Sequence, residues 1–260
     1  MDRYVISYRG WDGSEWSMTT SEWVAGLQAG GISGLAGNLV DSTADAVDGL
    51  GQFVDGQTFG PMTGSLRVSV RSDGNRGVDE VWARFRRAFS PRRDRAGVLR
   101  VSSPWLGTLS ARVRLESQIS NPEVAPAPGL EHIINIEVPL ICDDGRWLTT
   151  PVRDTGTVTV VNDGDGMIHP YLRWWGAGGR VVLPSGASFS LPAVSKPVAF
   201  WLSRRESLYV VDDAGNPDEA TWKKVRGFPV EAVPEGAERT YQLPANAELF
   251  WSKGVLDPWQ

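Results

Sequence analysis

Apolar and polar residues alternate along most of this chain, and the breaks in that alternation divide it. Tyr4, Ile6 and Tyr8 alternate with Val5 and Ser7. That pattern predicts a strand; Trp11-Asp12-Gly13-Ser14 turns the chain, and residues 15–18 are placed to pair back as a hairpin. Leu66, Val68 and Val70 alternate with Arg67, Ser69 and Arg71, a half-buried strand that ends at Ser72-Asp73-Gly74-Asn75. The period then changes. Val78, Val81, Trp82, Phe85 and Phe89 recur at intervals of three and four, the apolar stripe of an amphipathic helix and so its expected core contact. Asp79 and Glu80 in its first turn and Arg86 and Arg87 near its end suit the helix dipole, and Pro91 stops it. It is the one helix that the pattern predicts. Strand alternation resumes over 98–101, over 109–116 and over 134–140, the last ending at Asp143-Asp144-Gly145.

Two stretches interrupt this order. Residues 23–56 are rich in Gly, Ala, Asp and Ser, which predicts irregular chain with short strands and a loop at 41–51. Residues 121–129 carry three prolines and predict an extended loop or arm. Pro151 and Asp154 mark a boundary, dividing the chain into domains at 1–152 and 153–260. After it, Thr157, Thr159 and Val161 alternate with Val158 and Val160, and Asn162-Asp163-Gly164-Asp165-Gly166 predicts a hairpin turn. A strand over 169–175 led by Pro170, the turn Gly176-Ala177-Gly178-Gly179 and a strand over 180–183 follow, as the start of an antiparallel sheet. Further short strands are expected at 188–191, 198–202, 207–211, 222–225, 241–243 and 248–251. Their spacing of about ten residues points to a β-sandwich or jelly roll. Residues 253–260 are expected to cap that sandwich or hang free.

Composition narrows the chemistry. The chain has 260 residues, a net charge of −5 and twelve Trp scattered along its length, which suit cores, protein interfaces or sugar stacking. The acidic balance supplies no general drive towards nucleic acid. Cys142 is alone, so an internal disulfide is impossible, and its apolar strand makes it a buried small hydrophobe. His132 and His169 are too few for a multi-histidine metal site. No stretch approaches the ~18 apolar residues of a membrane helix, and Met1-Asp2 does not begin like a signal peptide. The acidic pairs Asp143-Asp144 and Asp212-Asp213 sit at strand ends, where a solvated turn explains them better than a glycosidase site with opposed carboxyls. Asp163-Gly164-Asp165-Gly166 lacks the spaced ligands and terminal Glu of an EF-hand loop. No nucleophile elbow or phosphate loop occurs. The sequence therefore assigns no catalytic, cofactor-binding or metal-binding residue.

The order of the elements carries a resemblance. Gly56-Gln57-Thr58-Phe59-Gly60-Pro61 precedes a strand of alternating Arg and apolar residues; the helix over 78–89 follows, then Gly97-Val98-Leu99-Arg100-Val101 and a strand over 133–147. With the strand, Asn-Asp-Gly turn, proline-led strand and Gly turn of 155–186, this order resembles the siphophage distal tail proteins in their actinobacteriophage minor-tail form. The resemblance implies a mainly β chain: an N-terminal, ring-forming belt domain with one helix, then a galectin-like antiparallel β-sandwich. It implies a non-enzymatic virion protein of the tail tip, assembled in the host cytoplasm. That protein forms a ring, usually of six copies, between the tail tube and the hub. Its partners would be its own copies, the tail tube protein, the tape-measure C-terminus and the tail-associated hub protein, with neither membrane nor sequence-specific nucleic acid among them.

Two clusters are then candidate contact sites. Arg84, Arg86, Arg87, Arg92, Arg93 and Arg95 form a local positive patch, either a solvated helix face or one side of a subunit interface whose complement is the acidic stretch 41–55. His169, Arg173, Trp174 and Trp175 are a candidate docking point for a sugar or a partner, with at most one of the two Trp in the core. A carbohydrate-binding adsorption module is the alternative reading of the chain.

Overall fold

The computed structural model describes residues 4–45, 51–123, 125, 129–203 and 209–259. The chain is mostly β, in several antiparallel sheets, and divides into two units: Met1–Thr149 with Val255–Gln260, and Thr150–Gly254.

The first unit contains β1 (Val5–Arg9), β2 (Glu15–Ser17), β3 (Ala25–Gly34), β4 (Asn38–Asp45), β5 (Gln52–Gly60), β6 (Met62–Arg71), α1 (Val78–Arg87), β7 (Gly97–Ser103), β8 (Gly107–Leu115), β9 (His132–Cys142) and β10 (Trp147–Thr149). Its main sheet runs β2-β1-β7-β8-β9-β6-β3, with β10 beside β8. The residues that alternate inward, among them Ile6, Tyr8, Leu66, Val68, Val70, Leu99, Val101, Val113, Val138 and Leu140, make one core. The stripe of α1 and the turn after it closes that core: Val78, Val81, Trp82, Phe85 and Phe89 are all buried. Aromatic contacts fix the helix to the first hairpin. Phe89 stacks on Tyr8 at 4.1 Å, Phe85 meets Trp16 edge-on at 5.1 Å, and the Tyr8 hydroxyl donates to the Ala88 carbonyl at 3.0 Å. Cys142 is buried in β9, and burial pushes its thiol pKa up.

The glycine-rich stretch 23–56 differs from its expectation. It holds two long strands, β3 and β4, and the start of a third, β5, where irregular chain with short strands was expected. The glycines serve β3: its pairing with β6 slips between Leu27 and Ile32, Gly30 has φ +64°, and a Cβ on Gly31 would lie 2.5 Å from the Arg67 carbonyl oxygen. Of the loop expected at 41–51, residues 41–45 belong to β4, and 46–50 lie outside the described residues. Val124 and residues 126–128 of the proline-rich loop, and 207–208 of an expected strand, also lie outside them.

The second unit is a sandwich of two antiparallel sheets. One runs β11 (Val152–Thr155), β19 (Ala247–Trp251), β13 (Tyr171–Gly176), β16 (Val194–Trp201), β17 (Val210–Asp212); the other runs β12 (Thr157–Val161), β18 (Glu238–Gln242), β14 (Gly179–Val182), β15 (Ser188–Leu191). Trp174, Leu172, Phe200, Val198 and Leu249 from the first and Val158, Val160, Val181 and Tyr241 from the second fill the space between.

Residues 162–166 are accordingly not a hairpin turn, because β12 and β13 lie in different sheets. They are a corner. The buried Asn162 side chain donates to the carbonyls of Gly166 at 2.8 Å and Val233 at 2.9 Å, tying the corner to Val233, which also exchanges backbone bonds with Ile168. The strand expected at 222–225 is the end of a helix, α2 (Glu219–Val225). Asp218 caps it, accepting from the Thr221 amide at 3.0 Å, and Lys223 and Lys224 occupy its last turn. The C-terminal residues also depart from expectation. β20 (Gly254–Val255) pairs with β10, Val255 and Trp259 pack on the first core, and the Leu256 carbonyl accepts from the Gly37 amide at 2.7 Å. Val255 and Trp259 are thus partly covered on the first unit, whereas Lys253 and Gly254 bond the corner of the sandwich, through the Asp163 carboxylate and the Asp165 amide.

Candidate interaction surfaces

The β4–β5 hairpin is an arm. Its strands pair only with each other, from Asn38↔Gly60 to Asp45↔Gln52, and every residue of both strands except Gly60 is exposed. Leu39 and Phe59 face each other across the ribbon, and Val40 and Phe53 project from its other side. Phe53 is 66% exposed and Val54 57%. A two-stranded ribbon is marginal in water by itself, and apolar side chains exposed on both of its faces make it a candidate contact surface. The strands carry Asp41, Asp45 and Asp55 and no Lys or Arg. Gln57 donates to Asp41 across the ribbon at 2.8 Å.

The six arginines of the expected patch occupy α1 and the turn behind it. Three lie over aromatic rings: Arg84 at 5.9 Å from the centroid of Trp16, Arg86 at 5.3 Å from Trp82 and Arg95 at 4.6 Å from Trp11. Arg92 holds Asp94 through two bonds of 3.0 Å, and the Asp94 carboxyl is pulled below its ordinary range by that pairing. Arg87 donates to the Ala83 carbonyl at 3.2 Å. Among the described residues no carboxylate forms an ion pair with Arg84, Arg86, Arg87, Arg93 or Arg95. Near them, Arg93, Arg112 and Arg114 border a shallow cleft of about 50 Å³ in which Arg114 holds Asp143 at 2.8 Å.

The second cluster separates. Trp174 is fully buried, its Nε1 donating to the Pro192 carbonyl at 2.9 Å. His169 is half-buried at the corner ahead of β13. Arg173 and Trp175 do share the solvent face of the five-stranded sheet, with the Arg173 guanidinium 5.7 Å from a Trp175 ring centroid. That guanidinium bonds Asp213 at 2.8 and 2.7 Å and Glu248 at 3.1 Å. The two carboxylates hold its pKa well above the usual arginine range, and its hydrogen bonds hold Asp213 below the usual carboxylate range.

No protein-family model matches the sequence, and no curated protein does. Solved structures do match. The chain aligns over 97% of its length, and over 99% of the other, with the SPP1 Dit protein, described as a paradigm of the hub adsorption apparatus in phages infecting Gram-positive bacteria; the TM-score is 0.58 and the identity 11%. The fold is that of the SPP1 Dit protein. Chains of the phage p2 baseplate in its activated conformation match in the same way. The form with Ca gives a TM-score of 0.55 at 7% identity, and the form with Sr 0.57 at 8%, each over 96% of this chain and 98% of the other.

Within this Dit fold, sequence reasoning missed the arm and the aromatic seats of the arginines. The arm lacks the alternation of a half-buried strand because neither of its faces is buried. The seats Trp11 and Trp16 are distant in sequence from Arg95 and Arg84, and only packing brings them under the guanidinium groups, whereas Trp82 lies one helical turn before Arg86 on α1.

Proposed function

We propose that this chain is a structural subunit of the tail tip of a long-tailed phage, where copies of its first unit associate into a closed ring, most simply of six, between the tail tube and the hub. The Dit fold over nearly the whole chain supports the setting, and the arm supports the association. It is the observation that carries the reading. An acidic ribbon with apolar faces and no cation of its own needs a covering surface, and the same unit offers arginines without acidic partners around α1. A head-to-tail contact of this kind joins two different patches and closes when its rotation divides a full turn. The tail tube protein, the tape-measure C-terminus and the hub protein are the neighbours such a ring would meet, in the virion.

Mass photometry and negative-stain images of the full-length protein at low and high salt test this. Rings are expected, weakening as salt screens the arm–arginine contact. Asp41→Lys with Asp45→Lys should weaken them, and Arg86→Glu with Arg87→Glu added to that variant should restore them in part. An assembled tail that contains a single copy of this chain, or carries it on a side fibre, would falsify the ring.

A further inference from the structure

The solvent face of the five-stranded sheet carries two transverse rows. Register places Trp201, Tyr171, Phe250 and Arg153 side by side across β16, β13, β19 and β11. Two residues along, Ala199, Arg173 and Glu248 form the next row, with Val211 of β17 beside Ala199. The rows are about 7 Å apart and their members about 5 Å apart.

In the first row Tyr171 and Phe250 stack on one another, centroids 4.6 Å apart and planes 9° apart, so these rings stand on edge against the sheet. Trp201 is tilted 57° to Tyr171 at 4.7 Å and is 42% exposed, the most open of the three. In the second row Ala199 contributes only a methyl group beside Trp201, and Arg173 reaches past it across β16 to Asp213 beyond β17. Arg173 is held by Asp213 and Glu248, and Glu248 uses only Oε2 for that bond.

We propose that this face binds a neutral saccharide, one pyranose or furanose ring lying against Trp201 over Ala199, its hydroxyls bonding the Arg173–Asp213–Glu248 cluster. The C–H face of a sugar matches the indole ring, whose negative face attracts polarised C–H groups. Carboxylates each accept several hydrogen bonds, so those already holding Arg173 retain lone pairs for hydroxyl donors, in an arrangement fixed before binding. A protein segment fits less well. Its interface core would strip water from three charged groups without replacing it, and acidic residues are depleted from such cores. One guanidinium against two carboxylates also disfavours an acidic sugar. The site stands whether or not the first unit forms a ring.

Full-length protein applied to an array of neutral galactosides, glucosides, mannosides, arabinosides and N-acetylglucosaminides, followed by saturation-transfer NMR with the sugars retained, tests the proposal. At least one sugar should bind, with saturation transferred mainly to its C–H face. Trp201→Ala should weaken it by about tenfold or more, the scale of one lost aromatic contact, and Trp201→Phe should recover part of the loss. Trp105→Ala, an exposed Trp of the other unit, should leave binding unchanged and serves as the control for the fold. Absence of binding at millimolar sugar, or binding indifferent to Trp201→Ala, overturns the site. Loss of incorporation into tails by Trp201→Ala, with no sugar bound by the unaltered protein, would make the face a protein contact instead.

Discussion

Phe85 shows how much one side chain of the helix carries. It is fully buried, meets Trp16 and Phe89 edge-on at 5.1 and 5.0 Å, and lies 6.4 Å from Trp82. Phe85→Ala removes a ring from a site whose neighbours are themselves rigid rings, so the cavity closes poorly. The expected loss is about 3–5 kcal/mol in denaturant unfolding. A variant as stable as the parent would mean that the stripe is not packed as described. Such positions were legible in the sequence because burial on one helix face repeats every three to four residues. Trp174 and Trp175 were legible only as a pair: alternation says that one points inward, and nothing local says which. The aromatic partners of that sheet, Tyr171, Trp201 and Phe250, are separated by up to 79 residues, and register alone assembles them.

Elements were legible where one face is wet and the other dry, as in β6, β8, β12 and α1. They were not where that contrast fails, as in β4 and β5, or where an element is too short to show a period. α2 has only about two turns, yet Asp218 followed by Glu219 and then Lys223-Lys224 is a helix signal of its own. The corner at 162–166 looked like a hairpin turn because Asn, Asp and Gly serve both. The distance from Val161 to Tyr171 is the clue against it, since tight hairpins use two to five residues.

The turn after β17 adds a pH dependence. Lys196 bonds the Asp212 carboxylate at 2.7 Å and the Asn216 amide bonds it at 2.8 Å, holding its pKa down to about 2 against an ordinary 3.8. A carboxyl with a lower pKa folded than unfolded contributes stability that is complete above the unfolded value. That contribution is lost as pH falls from about 4 through about 2. Urea midpoints measured between those limits should therefore fall less steeply for Asp212→Asn than for the parent. Parallel slopes would assign the acid sensitivity to other carboxyls.

At the scale of the whole molecule, the sequence offered one boundary, at 152/153, whereas the chain leaves the first unit at Thr149/Thr150 and returns to it at Gly254/Val255. Residues 255–260 carry only Val255, Leu256 and Trp259 as large apolar groups, too few for a pattern. Their place follows from partners more than two hundred positions away: the Tyr4 hydroxyl donates to the Trp259 carbonyl at 3.1 Å, and the two rings meet edge-on at 5.6 Å. Deleting 255–260 should lower the unfolding midpoint of the first unit, followed by Trp82 and Trp16 fluorescence in variants lacking other Trp of that unit, and leave the sandwich transition in place. A shift confined to the sandwich would reverse that assignment.

The chain passes between the units twice, at Thr149/Thr150 and at Gly254/Val255, through strands β10 and β20 that pair with each other. A protease that severs one passage does not release the sandwich, because the other backbone still holds it. Tension applied to the sandwich divides between two covalent lines that end side by side in one sheet. Detachment then requires two cuts, or the shearing of that sheet.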